Sequence, residues 1–452
     1  MGYSKTAVLL TILAVILAAG FLGYRYRGAI RLKMLDILHS FDDAPETPDS
    51  MAWMDDMPPG LWWPARDIGQ ERELTPEQQE ALSNIENLGY LSGYQEAPYQ
   101  NGVVLHQPDK AFQGYNIVTS GHGPGVALID MEGNELHEWY TPEISIYTTW
   151  PDAQDRTITV DYRRRVHLYP DGDLVVLIDG GGIVKVDKNS NVLWTSEFNG
   201  AHHDLYVNET TGLIYTIGRN IHINPRYSTD EIIVEDYVCI LDSLGNEIAT
   251  IPVLDALENS IYKPLLRRMP PSGDVLHTNT IELIEEGQLP QGYDGPLKEN
   301  TLLLSMRTID LVCAFDPEEN TVYWAESDLW HMKHQPTMVE NGNMLVFDNQ
   351  GYGEISTVLE LSPENREVVW YYRGTEEIPF YSVGCGSCQR LPDGNTLIIE
   401  SVPGRAFEVT PEKEIVWEYY NPHRAGEHNE LIATLFDVVR IPEDSRMDWL
   451  DD

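Results

Sequence analysis

The sequence predicts an all-β protein: a six-bladed β-propeller preceded by an N-terminal transmembrane helix and a short helical and spacer segment. Three observations predict this fold. Helical periodicity is absent from about residue 112 to the end, and a hairpin pattern recurs six times there. The chain of 452 residues is also too long for one ordinary compact domain, whereas a repeat fold can fill such a length as a single unit.

Each copy of the pattern is an apolar strand, a turn of two to four residues and a second strand, which is typical of a β-hairpin. Most copies follow another hairpin, with Asp171-Gly172, Asn341-Gly342 or Asp393-Gly394 at its turn. Two hairpins form a four-stranded sheet, and six sheets bury both faces by packing radially. The six copies are VALIDMEGNELHEWY (126–140), GIVKVDKNSNVLWTSEF (182–198), YVCILDSLGNEIATIPV (237–253), LVCAFDPEENTVYWAES (311–327), STVLELSPENREVVWYY (356–372) and RAFEVTPEKEIVWEYY (405–420).

Two further features fit a closed ring. A large residue marks the second strand of each copy: Trp139, Trp194, Ile248, Trp324, Trp370 and Trp417. The last apolar strand, residues 432–441, is expected to join the first blade and close the circle. A pair of β-sandwiches is the alternative, but six copies of one pattern favour the propeller.

The segment before the propeller divides into a tail (1–5), an uncharged apolar stretch (6–24) and residues 25–111. The apolar stretch has about the 20 residues that a bilayer core requires, so we predict an uncleaved single-pass anchor; a cleaved signal peptide, with an apolar region of about 7–15 residues, is the alternative. Residues 25–111 comprise a basic juxtamembrane segment, an acidic Pro-rich spacer and a short helix at about 75–88. The propeller domain then covers 112–452.

Charge and cysteine content exclude several classes of protein. Lys and Arg total 30 against 72 Asp and Glu, a formal net charge of −42, which makes nucleic acid an unfavourable partner because phosphate backbones are repelled. Four cysteines are too few for a disulfide scaffold. Cys385 and Cys388 form a C-x-x-C pair that could be a strained disulfide, a redox pair or two inert thiols.

Polar residues lie just ahead of the inner hairpins in several blades, where a propeller places its function. One histidine at such a position is usually structural, but histidines at three corresponding positions in three blades, with an arginine and an asparagine, predict an anion site. A metal site is the alternative, although Arg307 would repel a cation, and we expect neither a metal nor another cofactor. The candidates are His202, His203, His277, Asn279, Arg307 and His334.

Such a set of residues is suited to group transfer. A neutral imidazole is a nucleophile that needs no prior deprotonation. If it attacks an electrophile with anionic oxygens, fixed arginine and amide donors stabilise the transition state, and a second histidine can protonate the leaving oxygen. The candidates are therefore competent for sulfuryl or phosphoryl transfer through a covalent histidine intermediate.

The chain resembles the arylsulfotransferase (aryl-sulfate sulfotransferase) family over roughly residues 112–441. The resemblance implies a six-bladed propeller that transfers sulfate from a phenolic ester to another phenol by a ping-pong route through a sulfohistidine, without a nucleotide sulfate donor. The segments that carry it are HHDLYVNETTGLIY (202–215), LHTNTIEL (276–283), LLLSMRTIDLVCAFD (302–316), HQPTMVENGNMLVFDN (334–349) and SCQRLPDGNTLIIESVPGRAFEVTPEKEIVWEY (387–419).

Position by position, the resemblance implies that His334 is the nucleophile, with His331 as a rival three residues earlier. It implies that His277 and Asn279 contact the sulfuryl oxygens and that Arg307 is the family's arginine. His203 corresponds to the remaining active-site histidine, with its neighbour His202 as the alternative. One departure from the family pattern is Lys333, which stands where a glutamine is expected.

The sequence leaves alternatives open for the cellular compartment of the propeller and for its activity. The family acts outside the cytoplasm, which predicts an extracytoplasmic propeller on a membrane tether, whereas Arg25, Arg27, Arg31 and Lys33 after the apolar stretch favour a cytoplasmic one. The alternatives to a sulfotransferase are a non-catalytic, membrane-tethered binding or assembly module and a quinone-dependent dehydrogenase.

Overall fold

The computed structural model describes residues 94–96, 98–141, 163–179, 181–196, 200–227, 232–351, 355–425, 429 and 431–450. The predicted anchor (6–24), the acidic spacer and the helix at 75–88 lie outside these residues. Among the described residues, no helix is long and apolar enough to span a membrane.

Six antiparallel sheets of four main strands form the blades, as the recurring hairpins predict. From the inner strand outward, blade 1 is Leu435–Pro442, Gly114–Ser120, Gly125–Ile129 and Glu135–Tyr140; blade 2 is Arg165–Leu168, Leu174–Ile178, Gly182–Val186 and Val192–Thr195; blade 3 is Ala201–Asn208, Leu213–His222, Ile233–Leu241 and Glu247–Pro252. Blade 4 is Thr278–Ile284, Thr301–Met306, Leu311–Asp316 and Thr321–Glu326; blade 5 is His334–Met338, Met344–Asp348, Thr357–Leu361 and Val368–Arg373; blade 6 is Ser387–Arg390, Thr396–Glu400, Arg405–Val409 and Ile415–Tyr420.

The C-terminal strand closes the ring. Leu435–Pro442 pairs antiparallel with Gly114–Ser120, so the two ends of the propeller share blade 1. This confirms the predicted closure and removes an unpaired inner edge. Outside the ring, Gly102–His106 extends blade 6, and Tyr94–Glu96, Arg424–Ala425 and Leu431–Ala433 form a small separate sheet.

Apolar side chains fill the space between every pair of neighbouring blades. Successive residues of one strand serve opposite interfaces: in blade 2, Leu174 and Val176 pack against blade 1, whereas Val175 and Leu177 pack against blade 3. This alternation explains why the strands are nearly continuous apolar runs, because both faces are buried. Each fully buried Val or Leu contributes about 1.5–3 kcal/mol relative to an exposed one.

The outer hairpins of the six blades share a β-bulge at one position, as expected for a repeated structural unit. In blades 2, 4, 5 and 6 the residue just after the bulge is tryptophan. The register places His137 and Ala249 at that position in blades 1 and 3, so the equivalence of Trp139 and Ile248 with the other tryptophans is wrong. Trp139 lies two residues further along, where its Nε1–H donates to the carbonyl of Gly172 in blade 2.

The segment between blades 3 and 4 forms short helices that the hairpin pattern did not predict. Val253–Glu258 is an α-helix, Lys263–Arg268 is a 3₁₀-helix, and Gly273–Asp274 adds a short parallel strand to blade 3. The helix buries Val253 and Leu257 in the interface between the two blades. A further 3₁₀-helix, Asp448–Leu450, places Trp449 in the interface between blades 1 and 2.

Candidate active site

The candidate histidines and Asn279 lie where the inner strands of blades 3, 4 and 5 begin. Arg307 instead follows the second strand of blade 4, Thr301–Met306, so its expected place just ahead of an inner hairpin is wrong. Each of these inner strands carries a bulge near its start: between His202 and Leu205, between Thr278 and Thr280, and between His334 and Thr337. A bulge re-aims side chains that would otherwise follow the strand's alternation. Positive φ angles at His203 (64°) and Gln335 (43°) fall inside two of these bulges. Such left-handed residues are costly and often occur at functional sites.

Histidines from blades 3 and 4 meet edge to face. The ring centroids of His203 and His277 are 4.8 Å apart with an interplanar angle of 80°. His202 lies behind His203, with 4.9 Å between their ring centroids, and is 1% exposed. The structure thus brings His203 to His277, while His202 supports it from the protein interior.

A buried carboxylate orients His277. The Nδ1 atom of His277 lies 2.6 Å from Oδ2 of Asp274. A carboxylate is only an acceptor, so Nδ1 of His277 carries a proton and Nε2 is the nitrogen that is left for the site. Burial opposes ionisation of Asp274, but the charge and hydrogen bond of His277 outweigh it, and the pKa of Asp274 is lowered.

An amide orients His334 in a similar way. Its Nδ1 atom lies 2.7 Å from Oδ1 of Asn349, and the amide nitrogen of Asn349 donates to the carbonyls of Ser382 and Cys385. Since those two bonds fix the amide orientation, Oδ1 accepts and Nδ1 of His334 donates. The lone pair of His334 is therefore on Nε2.

Burial and neighbouring cations keep the key imidazoles neutral. Burial lowers the pKa of His334 well below 6.5, and the charges of Arg307 and Arg164 lower it further despite the opposing hydrogen bond to Asn349. Burial likewise lowers the pKa of His203 well below 6.5, assisted by Arg164. Neutral imidazole is the nucleophilic and basic form, so both rings are in the reactive state near neutral pH.

Arg307 supplies positive charge next to these rings. Its backbone N–H donates to the carbonyl of His277, and its Nη2 atom lies 3.8 Å from Sδ of Met332. Within the described part of the chain, no carboxylate forms a salt bridge with its guanidinium. A guanidinium in this setting is suited to an anionic group.

Asn279 and Lys333 connect blades 4 and 5 beneath the site. The Nδ2 atom of Asn279 donates to the backbone carbonyl of Lys333 at 2.9 Å. The Lys333 side chain is fully buried and donates to the carbonyl of Met306. Burial lowers the pKa of Lys333 to about 7, and the charge of Arg307 contributes to the decrease.

Residues of blade 2 add charge that the sequence analysis did not predict. Arg164 forms a salt bridge of 2.9 Å with Asp179, and its Nη2 lies 3.4 Å from Sγ of Cys385. Asp179 also accepts from the backbone N–H of His203. One signal was available: the run Arg163-Arg164-Arg165 leads into the inner strand of blade 2 at the same phase as the histidine motifs.

A buried ion network lies along the axis. Arg165 of blade 2 contacts Asp204 of blade 3 at 2.6 Å and also pairs with Asp437 of blade 1. Asp437 accepts from the hydroxyl of Ser387, and a second oxygen of Asp204 accepts from the N–H of Ile281. Asp204, the residue after His203, therefore links the inner strands of blades 2, 3 and 4.

His331 lies apart from the other imidazoles. Its Nδ1 atom is 2.7 Å from Asp310, and its side chain is 50% exposed. Its backbone N–H donates to Asp348. These contacts favour His334 over His331 as the residue that faces His277 and Arg307.

The state of the cysteines and the grouping of possible metal ligands determine whether redox or metal chemistry fits the site. Cys385 and Cys388 are free thiols, with Cys385 beside Arg164 and Cys388 buried between blades 5 and 6. Burial raises the pKa of Cys388. Over the described ranges, no group of three or more His, Cys, Asp or Glu side chains could hold a metal ion.

The comparisons with known proteins relate the sequence to one family. A family model described as arylsulfotransferase (ASST) matches residues 165–422, more than half of the chain. Among curated proteins, none matches significantly.

The solved structures that match this chain share little sequence identity with it. A protein of unknown function from Bacteroides caccae is 11% identical with a TM-score of 0.45, covering 72% of this chain and 98% of its own. The WD40 β-propeller domain of Doa1 is 12% identical with a TM-score of 0.40, covering 78% and 99%. The β-propeller domain of Myceliophteria thermophila Cps50 (Swd1) is 10% identical with a TM-score of 0.42, covering 77% and 99%.

Proposed function

Because the chain belongs to the arylsulfotransferase family, we propose that it moves a sulfuryl group from an aryl sulfate ester to a phenolic acceptor. The proposed route is ping-pong, with a sulfohistidine intermediate and no nucleotide sulfate donor. The observation that carries this proposal is a neutral His334 whose proton is fixed on Nδ1 and whose ring lies within the influence of the positive charge of Arg307.

In the first half-reaction, Nε2 of His334 attacks the sulfur of the donor ester. The S–N bond forms as the bond between sulfur and the aryl oxygen breaks, and the aryl oxygen leaves as a phenolate that takes its proton from water. Asn349 holds the ring in the tautomer that this attack requires, since it accepts from Nδ1. No separate base has to deprotonate this nucleophile.

Charge on the sulfuryl oxygens is stabilised from two sides. Arg307 supplies a fixed cation, and His277 and Asn279 supply polar groups at the start of the blade 4 inner strand. Because these groups are held in place before the reaction, they need little reorganisation. In the second half-reaction, a phenol attacks the same sulfur, the S–N bond breaks, and His334 is regenerated.

A turnover assay tests the proposal. The full chain is incubated with a chromogenic aryl sulfate, with and without a second phenol, and release of the coloured phenol is followed. We expect acceptor-dependent turnover that is lost in His334→Ala and kept in the matched control His331→Ala. A protein that binds the sulfate ester but never releases its phenol would instead be a binding module, and the proposal would be wrong.

We also propose that residues 6–24 anchor the chain and that the propeller lies outside the cytoplasm. The proposal is supported by the uncharged length of that stretch and by the family's location, against the basic residues that follow it. A reporter fused after residue 452 and assayed for its compartment tests the topology. A reporter active only in the cytoplasm would overturn the orientation.

A further inference from the structure

A second buried carboxylate stands behind the histidines of blade 3. Asp236, on the third strand of that blade, has its Oδ1 atom 3.5 Å from Nε2 of His202. Both side chains are 1% exposed. Its other oxygen accepts from the backbone N–H of Thr278 at 2.7 Å, which fixes the carboxylate between blades 3 and 4.

The two adjacent histidines share one hydrogen bond. Nδ1 of His202 and Nδ1 of His203 are 2.7 Å apart. When both rings are neutral, one Nδ1 must donate and the other must accept, so the tautomers of the two rings are coupled. The proton arrangement of one ring therefore dictates that of the other.

The carboxylate selects one of the two arrangements. A proton on Nε2 of His202 faces the negative Asp236, whereas a lone pair there would be repelled by it. With that proton in place, Nδ1 of His202 accepts and Nδ1 of His203 donates. This leaves the lone pair of His203 on Nε2, on the ring that stacks edge to face with His277.

We propose that Asp236, His202 and His203 form a proton relay in which Nε2 of His203 takes the proton from the acceptor phenol. His203 is the catalytic base, and Asp236 and His202 are positioning residues that set its tautomer and share the charge it gains. The inference rests on the proposed sulfotransferase function and adds the proton pathway to it.

The relay balances over the two half-reactions. When the acceptor attacks, its oxygen forms the new S–O bond, the S–N bond to His334 breaks, and the phenolic proton moves to Nε2 of His203. Because the pKa of His203 in the free site is well below 6.5, the ring passes this proton to water once the product has left. When the next donor reacts, the bond between sulfur and the aryl oxygen breaks, and the phenolate that leaves takes its proton from water, so one proton is released and one is consumed per cycle and no oxidant or reductant is needed.

The other charged groups around His203 restrict when it can hold this proton. Arg164 and Arg219 disfavour the imidazolium, whereas Asp179 accepts from the His203 backbone N–H. His277 adds a further neighbouring ring on the blade 4 side. A bound sulfate ester brings a negative charge that offsets the two arginines, so the proton is held when substrate is present.

The substitution Asp236→Asn tests the relay. The new amide can still accept from Thr278, but it presents an N–H to His202, which reverses both tautomers and puts a proton on Nε2 of His203. An analogous reversal in serine proteases costs about 10⁴-fold in kcat. The matched control is Glu235→Gln on the same strand, since Glu235 is also buried and bonded to a histidine, His222, but lies outside the site.

The readout is the transfer rate across acceptor phenols of different pKa. With an acceptor phenol of pKa about 10, we expect the transfer rate of Asp236→Asn to be at least about 10²-fold lower than that of Glu235→Gln. With a nitrophenol that is already ionised, the two rates should differ little, because this acceptor needs no base. His202→Phe, which removes the accepting nitrogen, should show the same steepened dependence if Asp236→Asn fails to fold.

The outcomes separate the relay from the function it rests on. Wild-type dependence on acceptor pKa in a folded Asp236→Asn or His202→Phe protein, with His334 still becoming sulfated, would overturn the relay alone. A wild-type protein that never sulfates His334 would overturn the proposed function and the relay with it. A loss that is equal for all phenols would show a merely structural role and would also overturn the relay.

Discussion

The Nδ1 atom of His334 lies 2.7 Å from Oδ1 of Asn349, an amide whose nitrogen is held by two backbone carbonyls of the blade 5 to blade 6 connection. This contact determines which nitrogen of His334 can react. It also couples the reactive ring to the loop that carries Cys385.

Loss of this contact should slow catalysis without removing the nucleophile. We expect Asn349→Leu to reduce kcat by about 10–100-fold, the usual cost when the partner that orients a functional histidine is lost. The control is Asn343→Leu in the distant turn of the same blade, where the amide bonds Glu360. Equal kcat values for the two variants would contradict the role of Asn349.

Arg307 should matter most in the transition state. Removal of one fixed charge donor typically costs about 10²–10³-fold in kcat, and we expect a loss of that order for Arg307→Met with an aryl sulfate donor. Arg268→Met is a suitable control, because Arg268 pairs with Asp328 on the surface. A variant that raises only KM would indicate that Arg307 binds the ground state alone.

The pH profile should lack the usual histidine inflection. Burial and neighbouring arginines lower the pKa values of His203 and His334 well below 6.5, so both rings stay neutral as the pH falls through that value. We therefore expect kcat/KM for the donor ester to change little between about pH 8 and about pH 6, where an ordinary histidine would titrate. A decline centred near 6.5 would show that these rings are solvated.

The axial ion network should be important for stability. Arg165→Met would leave Asp204 and Asp437 as buried carboxylates without their cation, a change that typically costs about 3–5 kcal/mol. Arg446→Met is the control, since Arg446 is 85% exposed and its pairing with Asp448 should contribute less than about 1 kcal/mol. Urea unfolding of both variants measures the difference, and similar midpoints would contradict the prediction.

The six-bladed propeller could be predicted from the sequence because each repeat is defined by short local patterns. The Asp-Gly and Asn-Gly turns and the apolar runs are read from neighbouring residues, and the closing strand, predicted as the last apolar run at 432–441, is found at Leu435–Pro442. The tryptophan equivalence failed in blades 1 and 3 because register depends on a bulge that shifts pairing by one residue without a fixed residue type.

The site was predicted only in part, for a physical reason. His203, His277 and His334 could be found because each lies at the start of an inner strand. Asp236 lies on the third strand of blade 3 and Asp179 follows the second strand of blade 2, and both reach the site only through packing between blades. Nothing in their local sequence distinguishes them from surface carboxylates in a chain with 72 acidic residues. The choice between His202 and His203 likewise depends on a bulge.

The proposed mechanism requires the sulfuryl group to be bound covalently to Nε2 of His334 between the two half-reactions. Wild-type protein is mixed with an aryl sulfate in the absence of acceptor, quenched under alkaline conditions and digested, and the peptide containing His334 is analysed by mass spectrometry. The account predicts the added mass of one SO₃ group on His334, lost when a phenol is supplied before quenching. Full turnover with no adduct on that histidine, or with the adduct on another residue, would contradict it.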